Sequence, residues 1–118
     1  MDVVIYHNPR CSKSRATLAL LREHGIEPRI VEYLKQPPSR EELEAILDKL
    51  GFSDPRRLMR TKEKVYKELQ LDAPDADRDR LLEAMLANPI LIERPIVVAG
   101  RKAAIGRPPE NVLEILPS

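Results

Sequence analysis

Apolar residues enter this chain in two ways. Short uninterrupted runs stand at its two ends, and positions that return every three or four residues fill the stretches between. Val3-Val4-Ile5-Tyr6 is a run of the first kind and predicts a short buried strand. Thr17, Leu20, Leu21 and His24 then share one helical face, with Leu18 beside it. Ser12 or Ser14 stands where a helix cap is needed, and Gly25 is a natural stop. Arg29-Ile30-Val31-Glu32-Tyr33 predicts a second strand. Two strands joined through one helix make a βαβ unit, which runs its strands parallel.

The middle of the chain reads as helical. Pro37-Pro38 breaks the chain, and Ser39 with Glu42 has the spacing of a capping box. Leu43, Ile46, Leu47 and Leu50 follow at helical spacing, up to Gly51. Asp54-Pro55 opens a short helix through Leu58, and Thr61 is placed to cap another that ends near Leu69. Pro74 to Asp79 is polar and loop-like; Leu81, Leu82, Met85 and Leu86 mark a further helix, stopped by Asn88-Pro89. Pro95-Ile96-Val97-Val98-Ala99 is the next strand. Gly100-Arg101 turns the chain, and Lys102 to Ile105 returns antiparallel. Pro108-Pro109-Glu110 starts a last helix, expected to bury Val112, Leu113 and Leu116.

The order is therefore βαβ, a helical block, then ββα. Without the block this is a thioredoxin-like core. The expected fold is α/β: a mixed four-stranded sheet with a helical insertion between its βαβ and ββα halves. At 118 residues the chain is expected to be one domain, 1–118, with the insert at about 39–88. One Phe, three Tyr and no Trp make the core aliphatic. A formal net charge of +1 argues against a general nucleic-acid binder. No run approaches the roughly 20 apolar residues of a membrane helix. No signal-peptide pattern opens the chain and no membrane partner is expected; a single cysteine, with no internal disulfide framework, fits a reducing, cytoplasmic setting. Two histidines and one cysteine, without clustered carboxylates, make a metal site unexpected.

The one cysteine carries the chemistry. Cys11 lies at the junction between the first strand and the first helix, in His7-Asn8-Pro9-Arg10-Cys11-Ser12-Lys13-Ser14-Arg15. A helix N-terminus and nearby arginines favour a thiolate, the nucleophilic form. A lone cysteine closes no internal disulfide, so redox chemistry at Cys11 needs a second sulfur from another molecule. The alternative for an isolated cysteine is a buried core residue, which these polar neighbours disfavour. Ser14 occupies the second position of a C-x-x-C spacing. Its hydroxyl can donate to a thiolate or satisfy backbone in the first turn, and the two roles are compatible. His7 is placed either to support the thiolate or to serve the strand end structurally. Arg60, Arg94 and Arg107 stand near element boundaries, where guanidinium forks can grip a tetrahedral oxyanion; the alternative for each is plain surface charge.

These residues resemble the glutaredoxin-linked arsenate reductase family over essentially the whole chain. The matching segments are Tyr6-His7-Asn8-Pro9-x-Cys11-x-x-Ser14-Arg15, Tyr33-Leu34-x-x-Pro37-Pro38, Leu58-Met59-Arg60, the stretch from Asn88 through Arg94-Pro95 to Val98, and the stretch from Arg107-Pro108 to Leu116. The resemblance implies that Cys11 is the nucleophile, with Ser14 and His7 supporting its thiolate. It implies that Arg60, Arg94 and Arg107 bind arsenate. No bound cofactor is implied: glutathione is the co-substrate, and glutaredoxin clears the mixed disulfide left on Cys11. Two other readings stand beside it. One is a thiol-based regulator of the same fold that binds a transcription partner; its relatives usually carry C-x-x-C, where this chain has Ser14. The other is a glutathione-dependent thiol reductase whose arginines hold glutathione carboxylates.

Overall fold

Strand β1 (Val3–His7) is the hub of one mixed sheet. It pairs in parallel with β2 (Arg29–Glu32), Ile5 opposite Ile30, and antiparallel with β3 (Ile96–Ala99), Ile5 opposite Val97. Strand β4 (Lys102–Ile105) extends the sheet antiparallel to β3, giving the order β2-β1-β3-β4. Helix α1 (Ser12–Glu23) connects the two parallel strands. The computed structural model describes residues 2–116. Its strands lie within a residue of the sequence expectation, because each apolar run is short and sharply bounded.

The chain divides into two compact units. The first runs to Gln36 and resumes at Arg94; the second is Pro37–Glu93. The core of the first is Val3, Ile5, Leu21, Val97, Ala99 and Val112. Strand alternation puts Val3, Ile5 and His7 on one face of β1. On α1 the buried positions are Ser14, Thr17 and Leu21, spaced to share one side of the helix. His24, expected on that side, is exposed, with Nδ1 against the Leu20 carbonyl at 3.0 Å. It lies beyond the last helical turn and no longer follows the helical spacing.

Two further expectations change. The last element is a 3₁₀ helix, Pro109–Ile115, not an α-helix. At three residues per turn Val112 and Ile115 share a side, so Val112 is fully buried and Leu113 is 36% exposed. A glutamate and not Thr61 begins the third helix: α3 covers Lys64–Glu68 with Glu63 at its N-cap. The preceding residues turn instead, with Glu63 N–H on the Arg60 carbonyl at 3.1 Å.

The second unit contains α2 (Arg40–Leu50), α3, α4 (Arg78–Ala87) and two 3₁₀ turns, Pro55–Leu58 and Pro89–Leu91. The expected capping box is present: Ser39 Oγ accepts from Glu42 N–H at 3.1 Å, and Glu42 Oε1 accepts from Ser39 N–H at 3.4 Å. Gly51 closes α2 at φ +75°, a conformation that costs residues with a Cβ. Leu43 and Leu47 of α2 and Leu82 and Met85 of α4 are fully buried. No helix among the described residues is long and apolar enough to cross a membrane.

Candidate active site

Cys11 is the N-cap residue of α1, in extended conformation at φ −95° and ψ 123°. The sequence expectation of a serine cap is replaced by a thiol in that place. The loop before it is closed by Asn8: its carbonyl accepts Cys11 N–H, its Oδ1 accepts Arg10 N–H, both at 3.0 Å. Arg15 N–H then bonds the Cys11 carbonyl at 3.0 Å and starts the helix. The thiol therefore sits over the open amides of the first turn, the positive end of the helix.

The electrostatics of Sγ follow from this placement. Partial burial of the thiol pushes its pKa up. The backbone N–H of Ser14, the Arg94 guanidinium and the backbone N–H of Lys13 bond the thiolate and outweigh that effect, so the pKa lies below the ordinary thiol value. Arg107 comes from the opposite side of the chain's sequence: its Nη1 is 3.9 Å from Sγ and donates to the Arg94 carbonyl at 3.2 Å. The peptide bonds Arg94-Pro95 and Arg107-Pro108 are both cis. Two guanidinium groups and two helix amides thus face one sulfur. Such a cluster can hold a thiolate and the oxygens of a tetrahedral anion beside it.

Behind the thiol lies a buried polar pair. His7 and Ser14 are 6% and 0% exposed. His7 Nδ1 and Ser14 Oγ are 2.6 Å apart, and Oγ also accepts Asn8 N–H at 3.0 Å. Strand alternation accounts for the meeting, because His7 shares its face with Val3 and Ile5, the face that α1 covers. Burial holds the His7 pKa below the usual histidine value; Arg22 and Arg15 add to this and Glu32 opposes it. The Ser14 hydroxyl is thus engaged with His7 and Asn8, and its backbone N–H is the Ser14 group that reaches the thiol.

Arg60 belongs to the second unit. Its Nε bonds Glu63 Oε1 at 2.9 Å and its Nη1 bonds Glu93 Oε1 at 3.3 Å. Sequence reasoning assigned it to substrate and did not foresee these two carboxylates. It also passed over Asn8, whose three backbone and side-chain bonds shape the Cys11 loop. The available signal was an Asn-Pro pair ahead of a helix start, a combination that favours turns.

Residues 6–115 match the model of the ArsC family. A protein of Haemophilus influenzae named arsenate reductase is 56% identical over 116 residues, covering 98% of this chain and 100% of the relative. An arsenate reductase of Neisseria meningitidis serogroup B is 53% identical over 115 residues, 98% of each chain. The solved structure of an arsenate reductase from Vibrio cholerae superposes with a TM-score of 0.96 at 55% identity, again over 98% of each chain. The expected thioredoxin-like fold agrees with this likeness. A thiolate at a helix start, faced by arginines and embedded in the Tyr6-to-Ile115 match, places the chain in the ArsC family.

Proposed function

We propose that this chain is an oxidoreductase that reduces arsenate to arsenite, with Cys11 as the nucleophile. The observation that carries the reading is the convergence on Cys11 Sγ of Arg94, Arg107 and the first-turn amides of α1. The named activities of relatives above 50% identity over the full chain support it.

The Cys11 thiolate attacks arsenic(V), forming a sulfur–arsenic bond as one arsenate oxygen leaves as water. Arg94 and Arg107 offset the negative charge on the remaining oxygens. The thiol of glutathione then supplies the second sulfur. Arsenic takes up two electrons and leaves as arsenite, while the two sulfurs lose those electrons and join as a Cys11–glutathione disulfide. A glutaredoxin thiol attacks the glutathione sulfur and releases Cys11 as a thiolate. The external thiols are required by the sequence itself, which contains one cysteine. A reducing compartment such as the cytoplasm keeps both Cys11 and its co-substrate in the thiol state. His7 and Ser14 hold the loop on which the thiol stands.

The test is arsenate-dependent NADPH oxidation coupled through glutathione reductase, with and without glutaredoxin. Cys11→Ser is expected to lower turnover by at least about 10³-fold, as loss of a covalent nucleophile does. Omission of glutaredoxin should stop turnover after the mixed disulfide accumulates. Turnover retained in Cys11→Ser would overturn the proposal. Activity on a glutathione mixed disulfide without any on arsenate would replace it with a thiol-reductase function.

A further inference from the structure

We propose that Gly106 is a positioning residue for both arginines of the thiol site. Lacking a side chain, it seats between Thr17 of α1 and Pro95 and fixes where Arg94 and Arg107 stand relative to Cys11. A Cβ built on Gly106 would meet Thr17 Oγ1 far inside van der Waals contact, Pro95 Cγ at 2.8 Å and Thr17 Cγ2 at 3.0 Å. Gly106 is buried, and its neighbours there are not loose surface chains. Thr17 is fully buried and its hydroxyl bonds the Lys13 carbonyl at 2.8 Å, which pins its rotamer; the Gly106 carbonyl is 3.4 Å away. Pro95 is buried as well.

The consequences of that fit run directly to the thiol. Gly106 N–H bonds the Pro95 carbonyl at 2.9 Å, so the two arginine-bearing segments are joined at this point. Arg94 precedes Pro95 and Arg107 follows Gly106. Arg107 Nη1 also bonds the Arg94 carbonyl, so a shift of one segment is felt by the other. Thr17 is two turns or less from Cys11 on the same helix, and so the three-way contact refers both guanidinium groups to the helix that carries the sulfur. Loss of side-chain volume here is a requirement of packing: the φ of Gly106 lies outside the left-handed region, so alanine fits its backbone and only the space is lacking. A displacement of about 1 Å between reacting groups can cost about 10²-fold in rate.

The test compares wild type, Gly106→Ala, Gly106→Ala with Thr17→Ala, and Thr17→Val. The readouts are thermal midpoint, the pH profile of Cys11 alkylation by iodoacetamide, and arsenate kinetics. The inference rests on Cys11 being the reacting thiol, and the alkylation profile examines it even if arsenate proves not to be the substrate. Gly106→Ala should move the alkylation midpoint up toward the ordinary thiol value. It should also lower kcat/KM for arsenate by about 10- to 100-fold. Adding Thr17→Ala removes the two threonine atoms in the way and should restore part of both. A Gly106→Ala protein with a lower thermal midpoint but an unchanged alkylation profile would overturn the proposal. So would the absence of any rescue by Thr17→Ala in a folded double variant. If Gly106→Ala does not fold, Thr17→Val decides: it presses a methyl toward Gly106, and an alkylation profile identical to wild type would overturn the positioning role.

Discussion

Arginine is used differently in the two units. In the unit built on the sheet, Arg94 and Arg107 point guanidinium groups at a sulfur. In the helical unit, Arg56, Arg78 and Arg80 fasten backbone. Arg56 donates to the carbonyls of Leu71 and Ala73, each at 3.0 Å. Arg78 donates to the Ser53 carbonyl at 3.0 Å and Arg80 to that of Leu69 at 2.6 Å. Arg60 is held by Glu63 and Glu93. The helical unit has turns and helix ends whose carbonyls no helix satisfies, and long guanidinium forks reach them. In the sheet unit Arg107 also takes a carbonyl, that of Arg94, but the same nitrogen stands 3.9 Å from Cys11 Sγ, where no carbonyl competes for it. The role of an arginine therefore follows from the acceptors its neighbourhood leaves open.

This contrast can be broken by three exchanges of decreasing effect. Arg94→Lys should lower kcat/KM for arsenate by about 10²-fold, since an ammonium cannot reproduce a paired fork at the developing charge. The same variant should raise the alkylation midpoint of Cys11, while Arg101→Lys, in the exposed turn between β3 and β4, should change neither. Equal activities for the two variants would remove Arg94 from the site. Arg56→Met should act the other way round. It should cost about 1–3 kcal/mol of stability by taking the guanidinium donor from the Leu71 carbonyl and one of two donors from that of Ala73, and it should leave the Cys11 pH profile unchanged. Denaturant midpoints beside alkylation rates check both halves of that statement.

The third exchange concerns His7 and is the smallest. Its folded pKa lies below the unfolded value of about 6.5, so the unfolded chain binds the proton more readily. Stability is therefore unaffected by this group above about pH 6.5, declines as pH falls below it, and levels once His7 is protonated in both states. Urea midpoints measured from pH 8 to pH 5 should show this decline in wild type and a shallower one in His7→Gln. A parallel pair of curves would mean that burial of His7 does not oppose its protonation.

Much of the site was legible because local rules govern it. A thiol between an apolar run and an amphipathic helix, with Ser14 three residues on, is a feature of contiguous residues. The helix-start electrostatics follow from that order alone. The role of Ser14 was less accessible. Its hydroxyl meets His7 because strand alternation and the buried side of α1 bring residues seven apart within 2.6 Å, a matter of packing across two elements. Leu113 was misplaced because an apolar spacing of 112 and 116 suits an α-helix, whereas the prolines at 108 and 109 begin a 3₁₀ segment of three-residue turns.

The linear chain is enough to specify the strands, the parallel βαβ start, the Ser39 capping box and the place of Cys11 between β1 and α1. Each rests on spacing, punctuation or a residue count, which the linear chain contains in full. Tertiary structure alone decided which charges meet that sulfur. Arg107 lies 96 positions from Cys11 and reaches it because β3 pairs with β1, β4 returns along β3, and Gly106 leaves room for the next residue to close on α1. No periodicity records such a meeting, since it depends on the order of strands in a sheet and on the volume of a side chain that is not there.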